Sequence, residues 1–349
     1  MTSRLHSSLT FGLSLFFLAI CAPVFGWGGT AHRIINGGAT LHCPAAMGLF
    51  IDQKAFFESH ASDADTRKSG DPTEGIKHYI DIDNYAGFRT MTHDYDSAVA
   101  KYGLSTIEDN GIVPWAALRA FDTLIEQLSR NDWTGAYQTA ADLGHYIGDA
   151  NIALHATKNY DGQLTGNTGI HTRYETTMVN LFQQELAIVA DPVRYVPDPL
   201  DRIFACILDV NSYADSIMTA DDEAKQAAGW NGSGAAPSDY LTELWRLTGG
   251  FTKAHIQRAS YLLACLWYTA WVDAGLGTTA TAPRCAAPGN GATACVGRAG
   301  AFDILGRQIT PIDHLSSGSG DLGNSGRSLF IERRSCGGQR LVICKYYPR

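Results

Sequence analysis

The chain has 349 residues, enough for one large domain and an accessory piece. Its 35 acidic and 27 basic residues give a formal charge of -8, which argues against a broad basic surface for duplex nucleic acid. That balance leaves a nucleic-acid substrate open, because bound cations offset local carboxylates.

Residues 1–26 read as a secretory signal, with Arg4 at the positive start, an apolar stretch at 9–20, and the small residues Val24 and Gly26 at a cleavage site. Cleavage leaves Trp27 as the new N-terminus, and losing Arg4 moves the formal charge from -8 to -9. Leu18-Ala-Ile-Cys21 offers a lipoprotein-like alternative, against which Ile20 is bulky where a small residue is wanted. The expected location is therefore secreted, periplasmic or extracellular.

Helical patterns dominate from residue 30 to about 275. Trp115, Leu118, Phe121, Leu124, Ile125 and Leu128 recur at three and four. Further helices are expected over 133–156 and 170–190. Leu241, Leu244 and Leu247, followed by an apolar run to Val272, suggest a closing pair of helices broken at Gly249-Gly250. Residues 261–272 are too short to span a membrane and read as a core helix, so no transmembrane segment is expected. The fold class is all-α over 27–275, with a core cut by polar ligands that reach across helices.

Composition changes after Gly275. Residues 276–302 are rich in Thr, Ala, Gly and Pro and read as a linker. Residues 303–349 carry short alternating runs such as Ser328-Leu-Phe-Ile-Glu and Arg340-Leu-Val-Ile-Cys, expected as a small β module of three or more strands. That module loosely resembles C-terminal sorting or attachment modules of exported bacterial proteins. Seven cysteines remain once Cys21 is lost, an odd number that leaves one thiol free or paired between chains. Export favours disulfides, and Cys285–Cys295 and Cys336–Cys344 are the local pairings expected. Cys206 and Cys265 sit in apolar helical surroundings and read as buried thiols.

The chemistry concentrates in two stretches, His145-Tyr-Ile-Gly-Asp149-Ala-Asn-Ile-Ala-Leu-His155 and Gly169-Ile-His171-Thr-Arg-Tyr-Glu175. His145 with Asp149, and His171 with Glu175, are spaced to share a helix face. His155 falls ten residues after His145, near the same stripe. Imidazole nitrogen and carboxylate oxygen suit zinc. The interleaved apolar residues Leu143, Tyr146, Ile147, Ile152 and Leu154 bury the segment, and buried ionisable groups need partners or a metal. More donors stand upstream: Asp65 in Ala61-Ser-Asp-Ala-Asp65-Thr-Arg67, His78 in Lys77-His78-Tyr-Ile-Asp81, and His32 in Trp27-Gly-Gly-Thr-Ala-His32. A processed Trp27 would add a chelate of its amine and carbonyl, since an α-amino group titrates near pH ~7.7–8. His42, His60, His93, His255 and His314 lack partners at ligand spacing.

Residues 27 to about 275 resemble the superfamily of fungal single-strand-specific nucleases, plant bifunctional nucleases and bacterial zinc-dependent phospholipases C. The motifs are "WGGTAH", "DADTR", "KHYIDID", "HYIGDANIALH" and "GIHTRYE", in that order. The resemblance implies a helical domain with three zinc ions. Asp65, His78, His145 and Asp149 would hold the first. His155, His171 and Glu175 would hold the second. The Trp27 amine and carbonyl, His32 and a bridging Asp149 would hold the third. It also implies phosphate-ester cleavage by a metal-activated water, with Asp65 orienting or deprotonating the water. Arg67 or Lys68 is the candidate phosphate contact: the nucleases carry an arginine three after the aspartate, where this chain has Lys68.

The branch is read from the pocket. Tyr79 and Asp81 occupy the places where the nucleases stack a base and bind its edge, although phospholipases carry a similar pattern for structural reasons. Choline-reading phospholipases place a glutamate, a tyrosine and a phenylalanine where this chain has Thr30, Thr66 and Gly75, which form no cationic cage. Glu175, in contrast, is more like the phospholipase branch, and the insert 161–169 is expected to shape the pocket. A single-stranded nucleic-acid substrate is preferred over a phospholipid. A zinc-holding surface protein without catalysis is a third reading.

Overall fold

The computed structural model describes residues 28–277 and, in the C-terminal part, the strands at 301–302, 308–309, 327–336 and 339–348. The segment 1–26, Trp27, Cys285, Cys295 and His314 lie outside the described residues. The chain divides into two compact units between Gly277 and Thr278.

The first unit is helical, and no strand occurs among its described residues. Its frame is α1 (Gly29–Ala39), α2 (Lys54–Ser59), α3 (Asp63–Arg67), α4 (Val113–Ser129), α5 (Trp133–Asp149), α6 (Pro199–Asn211), α7 (Ala214–Ala227) and α8 (Ser238–Asp273). Local chemistry sets the starts. Pro114 occupies the first turn of α4, where its missing N–H costs nothing. The Asp132 carboxylate accepts from Gly135 N–H at 3.1 Å to cap α5, and Asp198 accepts from Asp201 N–H at 3.0 Å to cap α6. α4 packs along α5, and α8 packs against α1, α4, α5 and α7. The core between them holds Trp115, Phe50, Phe57, Ile147 and Trp267, all nearly inaccessible. Each such side chain contributes about 1.5–3 kcal/mol when fully buried.

Three expected boundaries move. α8 runs unbroken through Gly249-Gly250. Each glycine costs about 1 kcal/mol in a helix, but burial of Leu244, Trp245, Ile256 and Leu263 on either side outweighs this. The Trp245 ring also lies over Gly249, where a Cβ would meet it at 2.8 Å. α5 ends at Asp149 rather than near 156, and His155 stands on a separate 3-10 turn, Ala153–His155. The helical stripe therefore does not carry His155 into place. The 170–190 stretch is helical only to Glu185, and it contains a π-helical turn, Arg173–Met178. Among the described residues no helix is long and apolar enough to cross a membrane.

In the second unit, β1 (Ala301–Phe302) pairs antiparallel with β2 (Gln308–Ile309), and β3 (Arg327–Cys336) with β4 (Gln339–Pro348). Register sets Cys336 opposite Gln339 and Cys344 opposite Ile331. Five strand residues, about 16 Å, then separate the two cysteine positions, against the roughly 4.4–6.8 Å between Cα atoms that a disulfide spans. The hairpin register thus excludes the Cys336–Cys344 pairing. Among the described residues of the first unit, Cys43, Cys206 and Cys265 are free thiols, the last two buried.

Candidate metal centre

Two glycines let α1 reach α5. Gly144 and Gly148 each precede a candidate ligand, His145 and Asp149. A Cβ at Gly144 would lie 2.1 Å from Asn36 Oδ1, and one at Gly148 would lie 2.8 Å from His32 Nδ1. The bare surface brings the His32 ring flat against His145, centroids 3.8 Å apart at 12°. Asn36 Nδ2 donates to the Ala141 carbonyl at 3.0 Å and holds this close approach.

Asp65 on α3, His78 at the end of the turn Gly75–His78, and His145 and Asp149 on α5 converge. His78 Nδ1 is 3.0 Å from Asp149 Oδ2, 3.0 Å from His145 Nε2 and 3.5 Å from Asp65 Oδ1. His145 Nε2 is 3.3 Å from Asp149 Oδ2 and 3.5 Å from Asp65 Oδ1. The other Asp149 oxygen, Oδ1, faces away from these, 3.5 Å from His32 Nε2 and 3.3 Å from His155 Nδ1. A second group follows: Glu175 Oε2 lies 3.4 Å from His155 Nε2 and 3.1 Å from His171 Nε2. Glu175 belongs to the π-helical turn, a form that recurs at functional sites. His32, Asp65 and His145 form a further set of donors close enough to share an ion. Of the nine sequence-predicted ligands, eight are therefore gathered in three sets, two of which share His145, and Trp27 lies outside the described residues. Gly28, next in sequence, donates its N–H to the Glu175 carbonyl at 3.3 Å, so the chain enters α1 beside the second group.

All eight residues are buried, at 5% exposure or less. Burial works against ionising the Asp149 carboxyl, but His145 and His155 outweigh it and hold it well below the usual range. Glu175 is lowered in the same way, against its own burial, by His171 and His155. Burial pushes His145 down, yet Asp149 and Asp65 lift it to about 10, and Asp149 and Glu175 lift His155 to about 9. His32 moves the other way, to about 4, because burial and the adjacent His145 outweigh Asp149. The cluster thus concentrates negative charge that calls for cations.

The donor set fits metal ions. Both His32 nitrogens, Asp149 Oδ1 and both Glu175 oxygens have no hydrogen-bond partner, although each residue is fully buried. Such orphaned groups cost several kcal/mol unless paired or coordinated. The imidazoles are also oriented from behind. His145 Nδ1 donates to the Ala61 carbonyl at 2.7 Å, His155 Nδ1 to the His78 carbonyl at 2.6 Å, and His171 Nδ1 to the Tyr160 carbonyl at 3.1 Å. A carbonyl only accepts, so when each ring is neutral, as metal coordination requires, Nε2 is its lone-pair nitrogen. These buried groups could hold metal ions.

The remaining sequence candidates take different places. Arg67 Nη1 pairs with Asp142 at 3.0 Å, and its Nη2 reaches Glu74 and Tyr146 at 3.4 Å each, so it is engaged behind the cluster. Lys68 Nζ instead pairs with Asp65 at 2.7 Å. Tyr79 and Asp81 are half-buried on the segment leaving His78, and Ile80 N–H donates to the His155 carbonyl at 2.9 Å. Burial, reinforced by Asp83, pushes the Asp81 carboxyl up to about 7. In the 161–169 insert, Asp161 accepts from Gly169 and His171 N–H groups at 3.0 and 3.2 Å. Leu164 in this insert is 62% exposed and the neighbouring Tyr160 44%. His60 and His93 each pair with one carboxylate, Asp63 and Asp201, and belong to none of the three donor sets.

Sequence reasoning missed Glu74, a carboxylate 1% exposed with its Oε1 3.5 Å from His78 Nε2. The signal was present, because Glu74 and His78 are four apart, the spacing that singled out His145 and Asp149. It also missed Arg173, between His171 and Glu175, whose guanidinium bonds Asp221 at 3.0 Å and the Tyr240 hydroxyl at 3.0 Å.

No family model matches the chain. A curated relative from Bradyrhizobium tropiciagri, described as a probable serine protease, is 24% identical over 58% of this chain and 32% of its own length. The chain thus matches about a third of that relative.

Proposed function

We propose that this chain is an exported zinc-dependent phosphodiesterase of the nuclease and phospholipase C superfamily, acting as an endonuclease on single-stranded DNA and RNA. The observation that carries the reading is the burial of eight predicted ligands in three donor sets, two of them sharing His145, with both Glu175 oxygens and both His32 nitrogens left without hydrogen bonds. Asp65, His78, His145 and Asp149 would hold the first ion, and His155, His171 and Glu175 the second. His32 and Asp149, with the Trp27 terminus, would hold the third.

Bound zinc supplies a water acidified to a pKa near ~7 and neutralises phosphate oxygens. The chain supplies the rest. Asp65 would orient that water. Lys68, which pairs with the candidate ligand Asp65 at the cluster, offers an ammonium to a non-bridging phosphate oxygen, whereas Arg67 points behind the cluster to Asp142, Glu74 and Tyr146. Tyr79 presents a ring for a base to stack on. The Asp81 carboxyl, raised to about 7, is poised between donor and acceptor at neutral pH and can bind a base edge either way.

Phospholipase C is the second reading, favoured by the exposure of Leu164 and Tyr160 at the insert beside His171, an apolar rim suited to a lipid surface. Thr30, Thr66 and Gly75 oppose a choline head group. The test is purified zinc-loaded protein assayed side by side on single-stranded DNA, RNA and mixed phospholipid vesicles. Degraded nucleic acid with intact lipid is the expected result, and head-group release without nucleic-acid cleavage overturns it. Loss of all hydrolysis in His145→Ala separates catalysis from a zinc-holding role.

A further inference from the structure

Each imidazole of the two main groups is fixed by the nitrogen that faces away from the cluster. For His145 and His171 that partner is a backbone carbonyl, and His155 Nδ1, which also lies 3.3 Å from Asp149 Oδ1, bonds the His78 carbonyl. His78 is the exception. Its Nδ1 faces Asp149 and His145, and its buried Nε2, which makes no hydrogen bond in this structure, has Glu74 Oε1 at 3.5 Å as its anionic neighbour, close enough to bond once a metal draws on Nδ1. Glu74 is 1% exposed, and its other partners are the Tyr146 hydroxyl, which donates at 2.5 Å, Lys77 Nζ at 2.7 Å and Arg67 Nη2 at 3.4 Å. Tyr146 follows His145 on α5, so the contact also ties the His78 turn to the helix that carries two ligands.

We propose that Glu74 is the positioning residue of the first ion: its carboxylate fixes His78 with Nδ1 toward the cluster and makes that imidazole a stronger donor than its carbonyl-anchored neighbours. The inference rests on the zinc reading above. An anionic partner draws on the Nε2 proton more strongly than a carbonyl does, which raises electron density at Nδ1. The Tyr146 hydroxyl, Lys77 Nζ and Arg67 Nη2 surround the Glu74 carboxylate and hold it in place. Arg67 thereby serves the centre at one remove, as a counter-charge to Glu74 and Asp142.

The test is zinc affinity, ion by ion, for the purified full chain titrated against a chromophoric chelator. Glu74→Gln keeps the shape and removes the charge. Tyr146→Phe removes the hydroxyl that orients the carboxylate. Glu126→Gln, 71% exposed, is the control. Glu74→Gln is expected to weaken one ion by about 10–100-fold and leave the others unchanged. Tyr146→Phe is expected to weaken the same ion by a smaller factor, and decides the matter alone if Glu74→Gln does not fold. If Glu74 were only a structural hub, the metal-free variants would unfold earlier yet bind every ion as the wild type does, and that result overturns the proposal. Failure of the parent reading looks different, because the wild-type chain itself would then take up no zinc.

Discussion

His32 on α1 and Asp149 on α5 meet with Nε2 3.5 Å from Oδ1, while the other oxygen of Asp149 faces His78 and His145. One carboxylate thus serves two sets of imidazoles, and the absence of a side chain at Gly148 makes it possible. In Gly148→Ala the new Cβ would fall 2.8 Å from His32 Nδ1. The variant is expected to lose about 1–3 kcal/mol of stability and to release one zinc while keeping the other two. Urea unfolding and metal counting check both parts, and full zinc content in the variant would disprove the His32 assignment.

Tyr79 tests the nuclease reading. Tyr79→Ala removes the stacking ring, worth about 1–3 kcal/mol per base. A rise in KM for single-stranded DNA of about 10–100-fold is expected, with zinc content intact. An unchanged KM would return Tyr79 to a structural role.

The two glycines within α8 should respond oppositely. A Cβ at Gly250 meets nothing within 4 Å, whereas one at Gly249 strikes the Trp245 ring at 2.8 Å. Gly250→Ala is expected to stabilise the domain by about 0.5–1 kcal/mol. Gly249→Ala is expected to destabilise it by about 1–3 kcal/mol, because the flat Trp245 ring, stacked on Phe182, must shift. Thermal unfolding of the pair distinguishes these directions.

Acid sensitivity follows from His255, buried at 3% exposure between Tyr213 and Phe251. Burial, and then Arg258, push its pKa from 6.5 down to about 4. The unfolded chain therefore takes up a proton that the folded chain refuses. The stability tied to this group is complete above pH ~6.5 and falls as pH drops toward ~4, by up to about 3 kcal/mol. His255→Gln is expected to flatten this part of the pH profile in metal-free protein. Parallel profiles for the two proteins would contradict it.

Local spacing made much of this legible. His145 with Asp149, and His171 with Glu175, lie on helical turns where the four-residue rule puts them, and α4 follows its apolar periodicity. Distance along the chain is what local rules do not reach. His155 looked like part of the α5 stripe, yet it stands on a separate turn, tied by its own Nδ1 to the His78 carbonyl. Gly249-Gly250 looked like a break, but tertiary burial of Trp245 and its neighbours overrides the cost of two glycines. Arg67 was a candidate phosphate contact, and only the fold reveals Asp142, Glu74 and Tyr146 around it. Gly144 and Gly148 carry no chemistry of their own and become informative once α1 is seen against them.

The central claim is that the buried imidazoles and carboxylates exist to hold zinc. Elemental analysis of the purified chain tests it most directly. The account predicts three zinc ions per chain, removed by a strong chelator together with hydrolysis of single-stranded nucleic acid and restored with it. A folded chain that carries no zinc, and takes up none, would contradict it.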